Sequence, residues 1–146
     1  MDLIEVALRN SGLGDKFTRL DGTMPLKKRS ESLTRFRDDN KVTVILVSIK
    51  AGGLGLNLTT ANKVYVMEPL FNPAAEAQAI DRVHRLGQTR EVKVTRFIMN
   101  RSVEQRVLKI QEMKIKLADL SMNRNLRLDK EQESKRKLEE LRELFK

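Results

Sequence analysis

The chain has 146 residues, with 40% hydrophobic and 34% charged residues and a formal net charge of +9, which suits one globular domain with a modest core and a polyanionic partner. It has no cysteine and one histidine, His84, so disulfides and thiolate metal sites are excluded, a catalytic zinc is argued against, and a reducing compartment fits. The longest apolar run, Val44 to Val47, is far too short to span a membrane, and the acidic stretch after Met1 lacks the basic start of a secretory signal.

Taken in chain order, the pattern alternates. Leu3, Val6 and Ala7 predict a short helix that stops at Gly12. Residues 16–23 read as a strand ending in an Asp21-Gly22 turn. Pro25 opens an amphipathic helix carrying Leu26, Leu33 and Phe36. Residues 41–49 are β-branched and nearly continuous in apolar character, as expected of a strand buried on both faces, and residues 62–68 read as a second buried strand. Between them, Lys50 to Asn57 form a glycine-rich loop. A helix is predicted from Asn72-Pro73 to Gly87, then a strand over 91–99 with one wetter face. From Ser102 the pattern predicts two helices, split near residues 121–129, with a charge-dense end that frays. Strand–helix alternation indicates an α/β domain with a mainly parallel sheet, whose ligands sit at the carboxyl ends of the strands.

Two stretches fall at such ends. In the loop, Gly52, Gly53 and Gly55 permit backbone conformations and close approaches that a Cβ would block, and exposed N–H groups beside Lys50 would suit phosphate. Neither the Walker A spacing nor the dinucleotide fingerprint is present, so a plain flexible turn stands as the alternative. In the helix, Gln78, Arg82 and Arg85 follow one face at i, i+4 and i+7, while Ala79, Val83 and Leu86 form an adjacent packing face. Arginine carries permanent charge and a donor fork that matches phosphate oxygens, so Arg82 and Arg85 together suit one anion. The alternative is a solvated face with Glu76 and Asp81 as neighbours. His84 points off the triplet and reads as a structural or surface histidine. Val103, Val107, Ile110, Leu117 and Leu120 nearly follow heptad spacing, interrupted by Lys114; such a stripe packs on its own domain or serves a helical adaptor.

The run from Val44 to Ile98 closely resembles the second RecA-like lobe of the Swi/Snf-type ATP-dependent DNA translocases, a branch of superfamily two helicases. Residues 48–58 (SIKAGGLGLNL) resemble helicase motif V, and residues 78–88 (QAIDRVHRLGQ) resemble motif VI. Residues 19–23 (RLDGT) resemble the segment before the first helix of that lobe, and residues 102–114 the helix after it. The likeness runs over about residues 3 to 120, with the helicase-like transcription factor and post-replication repair branch as the nearest kin.

The resemblance implies a RecA-like lobe at 1–101, a mainly parallel sheet flanked by helices and lacking its first strand, and a C-terminal helical extension at 102–146 that packs on it. It implies Arg82 and Arg85 as arginine fingers, with Gln78 as a polar partner near the γ-phosphate. Gly55 and Asn57 would lie near the nucleotide, and Ser48, Lys50 and Gly52 near the DNA backbone, joined by Arg19 and Thr23 as phosphate contacts. The substrate would be ATP with magnesium, held mainly by a first RecA-like lobe. Partners would be that lobe and duplex DNA or a nucleosome, in the nucleus, with no membrane. The chain has no Walker A lysine and no acidic D-E-x-H motif, so it is expected to be inactive alone. A truncated, non-catalytic DNA- or protein-binding module is the alternative. Two positions depart from the family: Phe71 stands where tryptophan is usual, and Ile49-Lys50 where threonine-arginine is usual, which costs the DNA contact a guanidinium fork.

Overall fold

A computed structural model describes residues 1–52, 55–124 and 142. The chain forms two compact units. One comprises residues 1–62 and 78–92, the other residues 63–77 and 93–146.

The first unit begins with α1 (Asp2–Leu8), continued by a wider turn at Arg9–Leu13 in which Gly12 takes φ +75°. That left-handed value strains any residue with a Cβ and ends the helix at the glycine the pattern singled out. Next come β1 (Phe17–Leu20), α2 (Leu26–Asp38), β2 (Val44–Val47) and a single turn, α3 (Ile49–Gly52). Pro25 stands at the N-cap of α2, where it has no intrahelical bond to forfeit. β1 and β2 pair in parallel with Phe17 opposite Val44 and Leu20 opposite Val47, and α2 is the crossover that parallel pairing requires. Phe17, Leu20, Phe36, Val42, Ala51, Leu56, Leu58 and Val83 make the core.

The second unit holds β3 (Lys63–Val66), the first part of α4 (Pro73–Ile80), β4 (Lys93–Arg96) and α5 (Val103–Arg124). β3 and β4 are again parallel, Lys63 opposite Lys93. The Phe97 N–H extends the ladder to the Val66 carbonyl (2.9 Å), and the Tyr65 and Phe97 rings stack with centroids 6.1 Å apart. Asn72 accepts the Ala74 N–H at 3.1 Å, which caps α4 just before Pro73. Ser102 accepts the Glu104 N–H at 3.2 Å and caps α5. Ile110 is fully buried, a burial worth about 1.5–3 kcal/mol for a side chain of this size.

The α/β class and the parallel strands follow the expectation, but several local features differ. β2 is half-buried along its length rather than sealed on both faces, and β3 exposes Lys63 and Tyr65. Each belongs to a two-stranded sheet, and so narrow a sheet leaves edges that an apolar sequence alone does not reveal. On β4, with Lys93 and Thr95 expected on the wetter face, Lys93 is exposed, but so is Val94, and Thr95 is half-buried. Part of the glycine stretch is not loop but the helical turn α3. Gly53 and Leu54, and the expected second C-terminal helix, lie outside the described residues.

The largest difference is in the arginine stretch. α4 ends at Ile80, and residues 81–87 form successive turns instead of continuing the helix to Gly87. Gln78, Arg82 and Arg85 therefore do not share a helix face. Leu86, expected to pack, is 99% exposed, whereas Val83 is buried. The helical spacing here marks a residue that wants burial, Val83, but does not by itself hold seven further residues in a helix.

Candidate functional site

The first unit brings the glycine stretch and the arginine turn together. Ser48 ends β2, its N–H bonded to the Leu20 carbonyl (3.0 Å), and its hydroxyl accepts the Ala51 N–H at 3.4 Å, so it starts α3 at the carboxyl end of the strands. The α3 backbone carries Lys50 and Gly52. Gly55 takes φ +68°, and a Cβ there would meet nothing within 4 Å. Conformation, not space, demands glycine at this position.

Leu56 and Leu58 are buried while Asn57 between them is exposed, so two apolar anchors present the asparagine outward. The Asn57 side-chain oxygen accepts both the N–H and the hydroxyl of Thr59, at 3.1 and 2.9 Å, which shapes the following turn. The next link crosses to the arginines: the Leu58 N–H donates to the Arg82 carbonyl at 3.0 Å. Val83 is buried beside it, while His84 and Arg85 are exposed and Arg82 is half-buried.

A residue that the pattern passed over closes this arrangement. The Gln88 amide nitrogen lies 3.0 Å from the Thr59 carbonyl, 2.6 Å from that of Ala61 and 3.3 Å from that of Val83. Its oxygen accepts the Arg90 N–H at 3.0 Å, and the Arg90 guanidinium donates to the Thr60 carbonyl. Nothing in the spacing of residues 78–90 distinguishes a glutamine that binds a loop nearly thirty residues earlier in the chain.

Arg19 and Thr23 are engaged differently. Arg19 meets Asp2 and Asp21 at 2.5 and 2.7 Å and Glu5 at 3.1 Å, tying α1 to β1. Thr23 donates its hydroxyl and its N–H to Asp21, at 2.6 and 2.9 Å. The Thr23 hydroxyl, the Arg19 guanidinium and the Thr23 N–H pull the Asp21 carboxyl down to about 2. A depressed carboxylate stabilises the fold above its unfolded value near 3.8, and that stabilisation is lost as pH falls through about 2. Acid unfolding between pH 4 and 2 is thus expected to flatten in Asp21→Asn. A carboxyl titration followed by NMR checks this, and an Asp21 midpoint near 4 would remove the basis for it.

In the second unit, Glu76 is buried rather than solvated, with its side chain only 3% exposed. It pairs with Arg96, accepts the Gln111 amide at 3.1 Å and the Leu70 N–H at 3.5 Å. Burial pushes its carboxyl up, but the Arg96 guanidinium and the Gln111 amide outweigh burial and hold it below its usual range.

The helicase conserved C-terminal domain model matches residues 1–87. The chain belongs to that family. It is 47% identical over 146 residues to DNA repair protein rad5 of Neurospora crassa, covering 99% of this chain and 11% of that protein. It is 52% identical over 120 residues to the helicase-like transcription factor of Mus musculus, covering 81% of this chain and 12% of the relative. The chain thus spans about a tenth of the length of these curated relatives. Among solved structures, the C-terminal part of the Fun30 ATPase domain aligns with TM-score 0.72 and 37% identity, over 75% of this chain and 35% of the other. The fold is therefore that of a RecA-like helicase C-terminal lobe of the Swi/Snf type, and the motif V and motif VI labels attach to the loop and the turn described above.

Among the described residues of this helicase lobe, no group of His, Cys, Asp or Glu is placed to hold a metal ion. No described helix is long and apolar enough to cross a membrane.

Proposed function

We propose that this helicase lobe is the second ATPase lobe of a nuclear duplex-DNA translocase that acts in DNA repair or chromatin remodelling. Residues 1–101 form the lobe, and α5 (Val103–Arg124) follows as a helical extension. ATP is the substrate, bound mainly by a first RecA-like lobe. Arg82 and Arg85 supply positive charge to the transferring phosphoryl group, and Gln78 is a polar partner near it. Gly55 and Asn57 face the nucleotide. Ser48, Lys50 and Gly52 track the DNA backbone, which is read by charge and shape rather than by base. Arg19 and Thr23 have a smaller part in DNA contact, because Asp21 already engages both.

The observation that carries this reading is the Leu58 N–H bond to the Arg82 carbonyl. It joins the loop that carries Asn57 to the arginine turn within one unit, which supports a shared role for the two stretches. The relatives' names, a DNA repair protein and a transcription factor, support the nuclear and DNA-directed parts.

Catalysis would then be positioning and electrostatics. Charge develops on the phosphoryl oxygens in the transition state, and fixed guanidinium groups stabilise it without reorganisation. The chain has no Walker A lysine to cradle the phosphates. Phosphate release by the isolated 146 residues with saturating duplex DNA is accordingly expected at background level, and restored when a first lobe is joined. Turnover by the isolated chain that is abolished in Arg82→Ala would overturn the division of labour between the lobes.

A further inference from the structure

Gln88 has no role in the reading above, yet its carboxamide meets more backbone than any other side chain near the arginines. Its nitrogen faces three carbonyl oxygens: Thr59 and Ala61 from the loop after Asn57, and Val83 from the arginine turn. Two amide hydrogens serve the two nearer loop carbonyls, at 3.0 and 2.6 Å, and the Val83 carbonyl at 3.3 Å shares them. The Gln88 oxygen takes the Arg90 N–H, so both ends of the amide are assigned by their partners. The Gln88 N–H also donates to the Arg85 carbonyl at 2.9 Å. Arg85 is thus held at its own backbone, and Arg82 at its carbonyl by Leu58.

These bonds add to what the end of the helix supplies. α4 stops at Ile80, and the Arg82, Val83 and His84 N–H groups bond back to the Ala79 and Ile80 carbonyls at 3.3, 2.9 and 3.0 Å, so beyond that first turn the Gln88 contacts carry the hold on the arginines. Gly87, at φ +99°, reverses the chain just before Gln88 and sends the glutamine back over the turn.

We propose that Gln88 is a positioning residue for phosphoryl transfer, clipping the Arg82–Arg85 turn to residues 59–61 so that the arginines and the nucleotide-facing loop hold one geometry. This rests on the arginine-finger reading above. Only glutamine meets all the requirements. Asparagine is one methylene too short to span both sides. Glutamate sets acceptor oxygens against three carbonyls. Lysine restores donors to the carbonyls but has no acceptor for Arg90.

The test uses the full-length protein, first lobe included, in the variants Gln88→Glu, Gln88→Lys and Arg82→Ala. Displacing a reacting group by a fraction of an ångström to one ångström costs up to about 100-fold in rate. DNA-stimulated kcat should fall about 10–100-fold in Gln88→Glu, with KM for ATP and DNA affinity little changed and partial recovery in Gln88→Lys. In parallel, hydrogen exchange on the 146-residue chain should show the Leu58 amide losing protection in Gln88→Glu and the Arg90 amide losing it in Gln88→Lys, while the Ser48 amide, bonded to Leu20 beside the β1–β2 ladder, keeps it in both. Loss of protection throughout the unit, or a fall that Gln88→Lys shares in full, would reduce Gln88 to a general structural residue and overturn the proposal. If Gln88→Glu turns over at the wild-type rate while Arg82→Ala is inactive, the clip is refuted and the finger reading survives. If both turn over normally, the finger reading falls and the clip with it.

Discussion

Joined to a first RecA-like lobe, Arg82→Ala and Arg85→Ala are each expected to lose about 10³-fold or more of DNA-stimulated ATP turnover, the range arginine fingers supply in comparable phosphoryl-transfer enzymes. Arg85 is exposed and Arg82 half-buried, so truncating either leaves no core cavity, and Val83 between them stays in place. The Arg82 carbonyl still accepts the Leu58 N–H in the alanine variant, because that bond is made by the backbone. What disappears is a fixed cation where phosphoryl charge builds up. DNA affinity should therefore stay near wild type, as should the melting temperature of Arg85→Ala, whose side chain is exposed. Lys50→Ala should behave oppositely, weakening DNA binding before ATP binding, and His84→Ala should be nearly silent in chemistry. Steady-state turnover, with DNA titration and melting on the same samples, decides the matter. Wild-type rates in both arginine variants would return this turn to being solvated surface.

The second large effect is on stability. Glu76→Ala is expected to destabilise the second unit by about 2–4 kcal/mol, combining a lost buried carboxylate with a stranded Leu70 N–H. The upper end is tempered because Arg96, 51% exposed on its side chain, can turn to water, and Gln111 keeps the Leu70 carbonyl as an acceptor. Tyr65, the chain's one tyrosine, sits in β3 of this unit, and there is no tryptophan to mask its fluorescence. The urea midpoint followed by this fluorescence should fall by about 1–2 M, taking a slope of about 2 kcal/mol per molar from the middle of the usual range. Because the Glu76 carboxyl is held low, its contribution is present above the unfolded value of 4.5 and is lost as pH falls through the folded one. The gap between wild type and variant should narrow in acid. An unshifted midpoint at neutral pH would mean that Arg96 and Gln111 hold the unit without the carboxylate.

Much of the architecture was legible because it depends on short-range rules. Gly12 ended its helix, Asn72-Pro73 opened α4, and the strand–helix–strand order required parallel pairing across a crossover. The errors share one cause. Apolar periodicity reports which residues want burial, not how many neighbours the fold supplies. β2 and β3 read as sealed strands, yet each lies in a sheet of two strands. Ala79, Val83 and Leu86 fit one helix face, yet Val83 alone is buried and Leu86 is out in water.

The site divides along the same line. Motif chemistry is written locally: glycines in the loop, arginines spaced for an anion, and no phosphate-binding lysine, while the family and the lobe came from the resemblance of residues 48–58 and 78–88 to helicase motifs V and VI. Tertiary structure alone decided which groups hold them there. Glu76 looked like one more surface charge until Arg96, Leu70 and Gln111 surrounded it. Gln88 looked like a polar residue after a glycine until its amide met Thr59 and Ala61. A hydrogen bond between residues far apart in sequence leaves no period and no spacing, because only the folded backbone brings donor and acceptor within reach. Residue type and order therefore determined the chemistry this lobe carries, and the folded chain determined the geometry in which it is carried.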